Sequence, residues 1–223
     1  MNQSPQNKSE VLRYLGYSGQ EIDHITDRII DESMEEMQNL IEERFVYKFF
    51  NILRKKDHLL LKNTEFELRG NSIRKHLREA KDCILMAITL GNGVDARIRY
   101  YEKVSMAKAL ILDACATVAV EEICDKVCDN LEHIVAAEEK TLTCRFSPGY
   151  GDLPLSIQKN FLAVLDAEKS IGLNASSHHI LTPRKSVTAI VGIVPRNKSV
   201  EKVDSICQGC NKYTTCTFKH LKF

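Results

Sequence analysis

The chain contains no tryptophan, and only 7% of its 223 residues are aromatic. That composition lacks the stacking platforms on which single-stranded nucleic acids are bound. It also lacks an excess of charge: 31 Lys and Arg stand against 30 Asp and Glu, for a formal net charge of +1. Bulk nucleic-acid binding needs a basic face and a polybasic membrane contact needs a basic cluster, so neither nucleic acid nor membrane is expected as a partner. No run approaches the roughly 18 apolar residues of a transmembrane helix; the longest apolar stretch, 107–120, is broken by Lys108, Asp113 and Thr117. Met1–Ser9 is polar, without the apolar core of a signal peptide. Residues 1–8 are expected to be disordered and the protein to be cytoplasmic.

What is present begins with eight cysteines. In a reducing compartment these are thiols or metal ligands, not disulfides. Cys83, Cys115, Cys124, Cys128 and Cys144 are scattered through apolar segments, whereas Cys207, Cys210 and Cys216 crowd the end of the chain.

Apolar periodicity then sets the fold class. Residues 9–43 read as helical, with a first short piece closed by Gly16 and Ile22, Ile25, Ile29, Ile30, Met34 and Met37 keeping helical spacing afterwards. Residues 45–53, 59–61, 66–68 and the continuous apolar run 83–90 read as strands. Ser72 is placed to cap a helix reaching about Ala80. A long helix is expected from near Ser105 to Glu138, with Leu112, Ala116, Ala119, Val120, Ile123, Val127, Leu131 and Ile134 as its core stripe. A short strand at 141–145, a helix beginning at Pro154, and strands at 180–181 and 187–194 complete the pattern. Long helices mixed with strands that do not alternate with them predict an α+β domain over 9–195, its long helices packed on a twisted, mostly antiparallel sheet, followed by a cysteine-rich tail at 196–223.

The most informative segment is Arg145–Phe146–Ser147–Pro148–Gly149–Tyr150–Gly151–Asp152–Leu153–Pro154–Leu155. It is a strand end, a rigid turn and a helix start. Glycines let backbone N–H groups come close to a ligand, a helix N-terminus favours anions, and an arginine binds a carboxylate through two parallel hydrogen bonds. Tyr150 adds a flat face. The plainer reading is a strand-to-helix corner with Arg145 in a surface ion pair. On the long helix, Asp113, Thr117 and Glu121 recur every four residues and Cys124 and Cys128 continue the ridge at the border of the apolar stripe. That is where a pocket wall would lie, and equally where acids reach out to solvent. Thr89–Leu90–Gly91–Asn92–Gly93 lacks the Gly-Lys-Ser/Thr ending of a phosphate-binding loop and reads as a tight turn.

The block 145–155, with Ala167–Glu168–Lys169–Ser170–Ile171–Gly172–Leu173 and Pro183–Arg184–Lys185–Ser186–Val187 at their spacings, resembles the activation domain of cobalamin-dependent methionine synthase. It resembles still more the short, separately encoded relatives of that domain. Tyr14–Leu15–Gly16–Tyr17, 87–91 and 116–121 extend the resemblance over about residues 10–195. The resemblance implies an accessory protein that docks on a corrinoid protein, a methionine synthase lacking its own activation domain. It would support reductive re-methylation of cob(II)alamin with S-adenosylmethionine and an electron from a donor such as a flavodoxin or ferredoxin. It also implies a ligand site: Arg145 and a glutamate, which falls best on Glu121 with Glu122 a near competitor, would hold the amino-acid end of S-adenosylmethionine, and Pro148, Gly149 and Tyr150 would form the ligand loop. The sequence departs from the fused domain in two places. The early acidic residues that hold the adenosine end have no counterpart, and the region of a later tyrosine is replaced by the cysteine tail.

Cys207–Gln208–Gly209–Cys210 followed by Cys216 has metal-ligand spacing. With a fourth ligand from Cys144, His220, His178 or His179 it would hold an iron–sulfur cluster or a zinc ion. The alternative reading is therefore an iron–sulfur electron-transfer or activator module for another corrinoid protein; a cap with a structural zinc is a third.

Overall fold

The computed structural model describes residues 7–196. The tail cysteines Cys207, Cys210 and Cys216, and His220, lie outside the described residues, as do residues 1–6. The fold is α+β, with a mostly antiparallel six-stranded sheet as its centre. By its internal contacts the chain forms two compact units, and it passes between them within four elements.

Among the described residues the first unit comprises 7–46, 87–124 and 166–187. It opens with α1 (Lys8–Tyr14) and α2 (His24–Leu40). The helical stretch expected over 9–43, with a first short piece closed by Gly16, is these two helices. Leu15 and Gly16 close the first by donating to Arg13 and Val11 carbonyls, and Asp23 opens the second by accepting from the N–H groups of Ile25 and Thr26 at 3.0 Å each. Ile30 and Met37 are fully buried. The unit also holds α4 (Asn92–Val104), the first half of α5 (Met106–Ala136), α7 (Ala167–Ile171), and the two-stranded pair β6 (Asn174–Ala175) and β7 (Leu181–Thr182). In this half of α5, Leu112, Cys115, Ala116, Ala119, Val120 and Ile123 are all buried.

Among the described residues the second unit comprises 47–86, 125–165 and 188–196. It carries most of the sheet, whose order is β3–β2–β1–β4–β8–β5. The strands are β1 (Arg44–Arg54), β2 (His58–Leu61), β3 (Glu67–Arg69), β4 (Asp82–Thr89), β5 (Lys140–Leu142) and β8 (Ser186–Pro195). Leu59, Leu61, Leu68, Cys83–Met86 and Ala189–Val191 are 0–2% exposed. The second half of α5 lies on β4, with Cys128 Sγ 3.9 Å from Met86 Sδ. α6 (Gln158–Leu165) buries Phe161 edge-on against Phe66. Arg54 gathers three carbonyls after α3 (Asn71–His76), those of Leu77, Arg78 and Ala80, at 2.6–3.0 Å.

Three expectations are corrected here. The helix expected to reach Ala80 ends at His76, and Ser72 does not cap it; Gly70 occupies the cap position without a side-chain bond. Ile134 is not in the core stripe: it is 51% exposed, and Val135 is buried in its place. The helix expected at Pro154 begins instead with one 3₁₀ turn, Leu155–Ile157, before α6.

Candidate functional site

Arg145 sits on a local irregularity of the sheet in the second unit. β5 pairs with β8 in register, Lys140 with Pro195 and Leu142 with Ile193. Thr143 continues that register, exchanging bonds with Gly192 at 2.8–2.9 Å. Phe146, however, bridges Ile190 through two reciprocal 2.9 Å bonds. Cys144 and Arg145 therefore face Val191 alone, two residues against one, which is a β-bulge. Bulges break the strict alternation of side chains and re-aim one of them; here the re-aimed residues include the arginine. Glu132 of α5 anchors the approach, accepting from the Thr141 hydroxyl (2.7 Å) and the Leu142 N–H (2.8 Å).

The turn that follows is built by its own sequence. Tyr150 N–H donates to the Ser147 carbonyl at 3.0 Å, with Pro148 at the second position and Gly149 at φ +96° in the third, the pattern of a type II turn. The Gly149 N–H donates to Leu153 O at 2.8 Å. The N–H groups of Gly149 and Tyr150 thus close the loop on itself, and the turn presents side chains outward. Tyr150 is 57% exposed and meets Phe146 edge-on at 5.8 Å, and Phe146 lies against His76 at 5.0 Å. Gly151, at φ +54°, approaches α3 so closely that a Cβ there would lie 2.4 Å from Ser72 Oγ. The approach lets Asp152 accept from the N–H groups of Asn71 (2.6 Å) and Ser72 (2.9 Å). Asp152 thus supplies the first-turn acceptor expected of Ser72, and those N–H groups, Ser72's foremost, hold its carboxyl below the ordinary range.

The Arg145 side chain is only 14% exposed, and its Nη1 donates to Asp125 Oδ1 at 2.7 Å, while Asp125 is 59% exposed. The ion pair of the plainer reading is present, but it is unequal: a well-packed guanidinium holds an acid that reaches it from solvent. Two thiols lie within its field. Burial raises the Cys128 and Cys144 thiols, and Arg145 pulls both the other way. The Cys83 and Cys115 thiols are pushed up to about 12 by burial and are inert core groups.

Glu121 is half-buried on α5, as are Asp113 and Thr117, while Cys124 is buried, so the expected ridge does border the apolar stripe. Within the first unit its upper end is occupied: Lys185 Nζ donates to Asp113 Oδ1 (2.9 Å), Asp113 O (3.0 Å) and Thr117 Oγ1 (2.9 Å). Asp125 was missed from sequence, although its position four residues after Glu121 was the available signal. Thr89–Gly93 is a tight turn, with the Gly91 N–H donating to Thr89 Oγ1 at 3.2 Å. His178 and His179 lie in the β6–β7 turn, His179 at φ +62°. Among the described residues no group of three or more His, Cys, Asp or Glu is placed to hold a metal ion, and no helix is long and apolar enough to cross a membrane.

No protein-family model matches the chain, and no curated protein matches it. Among solved structures it matches the crystal structure of the MetH reactivation domain bound to AdoHcy, with a TM-score of 0.63 at 15% sequence identity, covering 88% of this chain and 78% of that one. The chain therefore has the fold of the MetH reactivation domain.

Proposed function

We propose that the protein is a stand-alone counterpart of the reactivation domain of cobalamin-dependent methionine synthase. It docks on a corrinoid protein, a methionine synthase lacking such a domain, and holds S-adenosylmethionine through Arg145, Glu121 and the loop Pro148–Gly149–Tyr150. The observation that carries the reading is the fold match over 88% of the chain, to a domain whose structure contains AdoHcy. The residue types match the two charges at the amino-acid end of such a ligand. A guanidinium 14% exposed is already oriented, and Asp125, 59% exposed, is an acid that a ligand carboxylate could displace. A carboxylate such as Glu121 suits the ammonium. Tyr150, more than half exposed, offers a face to cover one side. Bound there, S-adenosylmethionine supplies a methyl group for cobalt; the chain's own part is to bind and orient it, the source of rate in such arrangements.

The Cys207/Cys210/Cys216 spacing favours a second reading, in which the tail holds an iron–sulfur cluster or zinc and the protein passes electrons to another corrinoid protein. Metal analysis and the visible spectrum of protein purified without oxygen separate the two.

Titration calorimetry with S-adenosylmethionine tests the first reading. A charge-assisted contact is worth about 1.5–3 kcal/mol, so Arg145→Ala weakens binding by about ten- to a hundredfold. Arg145→Lys recovers only part, because an ammonium cannot make the planar two-point contact. Equal uptake by wild type and Arg145→Ala, or none by either with the corrinoid partner present, rejects the site.

A further inference from the structure

The first unit carries a second apolar stripe that the ligand reading does not use. α4 and the first half of α5 each bury one set of side chains, Val94 and Ile98 on the one, Ala109 and Leu112 on the other. Yet Tyr100 and Val104 on α4, and Met106 and Leu110 on α5, are 53%, 59%, 67% and 62% exposed. Each pair is spaced i, i+4, so its members stand one above the other on the helix surface, where an amphipathic helix would carry polar groups. Single exposed apolar residues are ordinary; two such pairs meeting at one joint mark a contact surface. The joint is a single residue, Ser105. Its N–H donates to Tyr101 O at 2.8 Å, closing α4, and its carbonyl and hydroxyl accept from the N–H groups of Ala109 (3.0 Å) and Lys108 (3.4 Å), opening α5. Glu36 of α2 latches both helices: it accepts from the Tyr101 hydroxyl at 2.9 and 3.1 Å and pairs with Arg97 at 3.1 Å and Lys108 at 3.3 Å. The exposed residues therefore stand on fixed backbone rather than on fraying helix ends.

We propose that this surface docks an amphipathic helix of a partner protein, apolar on one face and acidic along its flanks. Residues spaced i, i+4 form ridges, and a helix seats its own ridges between them. Charge selects the flanks. Arg99 and Lys103, also i, i+4 on α4, are exposed and hold no ion pair among the described residues, and Glu102 is the only acid between them. Like charges at that spacing destabilise a helix, and an acidic partner relieves the strain. The same two cations disfavour a second copy of the same surface, which would set cation against cation. The exposed acids Asp31, Glu32 and Glu35 of α2, in the same unit, disfavour an anionic lipid surface. The inference is independent of the Arg145 site and of whether the cysteines hold metal.

Fluorescence anisotropy on the full chain tests it, with a labelled helical peptide carrying Leu on one face and Glu along its flanks, and the same peptide with Lys in place of Glu. The wild-type chain binds the Glu peptide saturably, at least about tenfold more tightly than the Lys peptide, and added salt weakens the binding. Val104→Ser combined with Leu110→Ser lowers that affinity by about tenfold or more, while circular dichroism and thermal unfolding stay as in wild type. Arg99→Glu combined with Lys103→Glu reverses the preference toward the Lys peptide, which a damaged fold cannot do. A wild-type chain that does not bind the Glu peptide overturns the proposal, and so does equal affinity in the Val104→Ser, Leu110→Ser chain. Two further outcomes overturn it by naming another occupant: a dimer in sedimentation that Leu110→Ser dissociates, or uptake by anionic lipid vesicles in preference to the Glu peptide.

Discussion

Lys185 in the first unit and Arg145 in the second are both half-buried cations that hold an aspartate of α5. Their side chains are 15% and 14% exposed, and their partners Asp113 and Asp125 are 47% and 59% exposed. By sequence pattern and burial they are equivalent. They differ in what surrounds the charge. An ammonium has three N–H donors, and Lys185 directs three bonds at two neighbouring residues of one helix, Asp113 and Thr117. It ties the segment leading into β8 to the first half of α5, within the first unit. Arg145 comes from a bulge and uses a terminal nitrogen on the Asp125 carboxylate, the most solvent-facing of these groups. A cation committed to a backbone carbonyl and a hydroxyl is structural. One held by an exchangeable carboxylate is suited to a ligand that brings its own.

The comparison is most directly broken at Lys185. Replacing it by Met keeps the aliphatic stem but removes three charge-assisted bonds at a half-buried site, leaving the Thr117 hydroxyl only its bond to the Asp113 carbonyl. A loss of about 2 kcal/mol is expected, seen as a fall of ~4–8 °C in Tm for a chain of this size, with S-adenosylmethionine affinity unchanged in the folded protein. A Lys185→Met chain as stable as wild type removes the distinction drawn between the two cations.

A smaller effect, in the opposite sense, is expected at Asp125. If it only keeps the guanidinium company until a ligand carboxylate arrives, Asp125→Asn removes a competitor. Exposed ion pairs are worth about 0–1 kcal/mol, so affinity rises by up to about fivefold and stability hardly changes. Calorimetry at low and moderate salt checks it, because screening weakens the competitor too. Weaker binding in Asp125→Asn would make the acid part of the site rather than its placeholder.

These contrasts mark where the sequence was legible. The stripe of α5 follows from its 3.6-residue period, and it fails only at Ile134, in the last turns, where the side chain is half exposed. The loop Ser147–Tyr150 was readable because Pro148 and Gly149 state their turn type locally. Asp23 is an equally local helix start, and it places the beginning of the second helical piece at His24 rather than at Ile22. The bulge at Cys144–Arg145 was not readable, because it exists only in the register between β5 and β8, strands separated by more than forty residues. The acceptor for the start of α3 lies about eighty residues away, at Asp152, and no local pattern announces it. Ser72 was the reasonable local candidate, but Gly70 holds the cap position.

Asp152 gives the smallest expected effect and the finest test, since it fixes the turn that follows Arg145 without touching the arginine. Its carboxyl is held below the ordinary value of 3.8, chiefly by the Ser72 N–H and then by the Asn71 N–H. A group whose folded-state pKa is depressed contributes fully above its unfolded pKa, and that contribution is lost as pH falls through the folded value. The wild-type protein should therefore lose a small part of its stability as pH drops below about 4, and Asp152→Asn should lack that part and show a shallower acid limb in urea unfolding. At neutral pH the variant's Arg145 should still pair with Asp125, because the bulge is fixed by β8 and Glu132 rather than by the turn. Ligand affinity should then fall only through loosening of Tyr150, by less than for Arg145→Ala. An acid limb identical in the two proteins would show that the two N–H bonds to Asp152 do not hold the turn. A loss of affinity as large as that of Arg145→Ala would show that the loop, and not the bulge, orients the guanidinium.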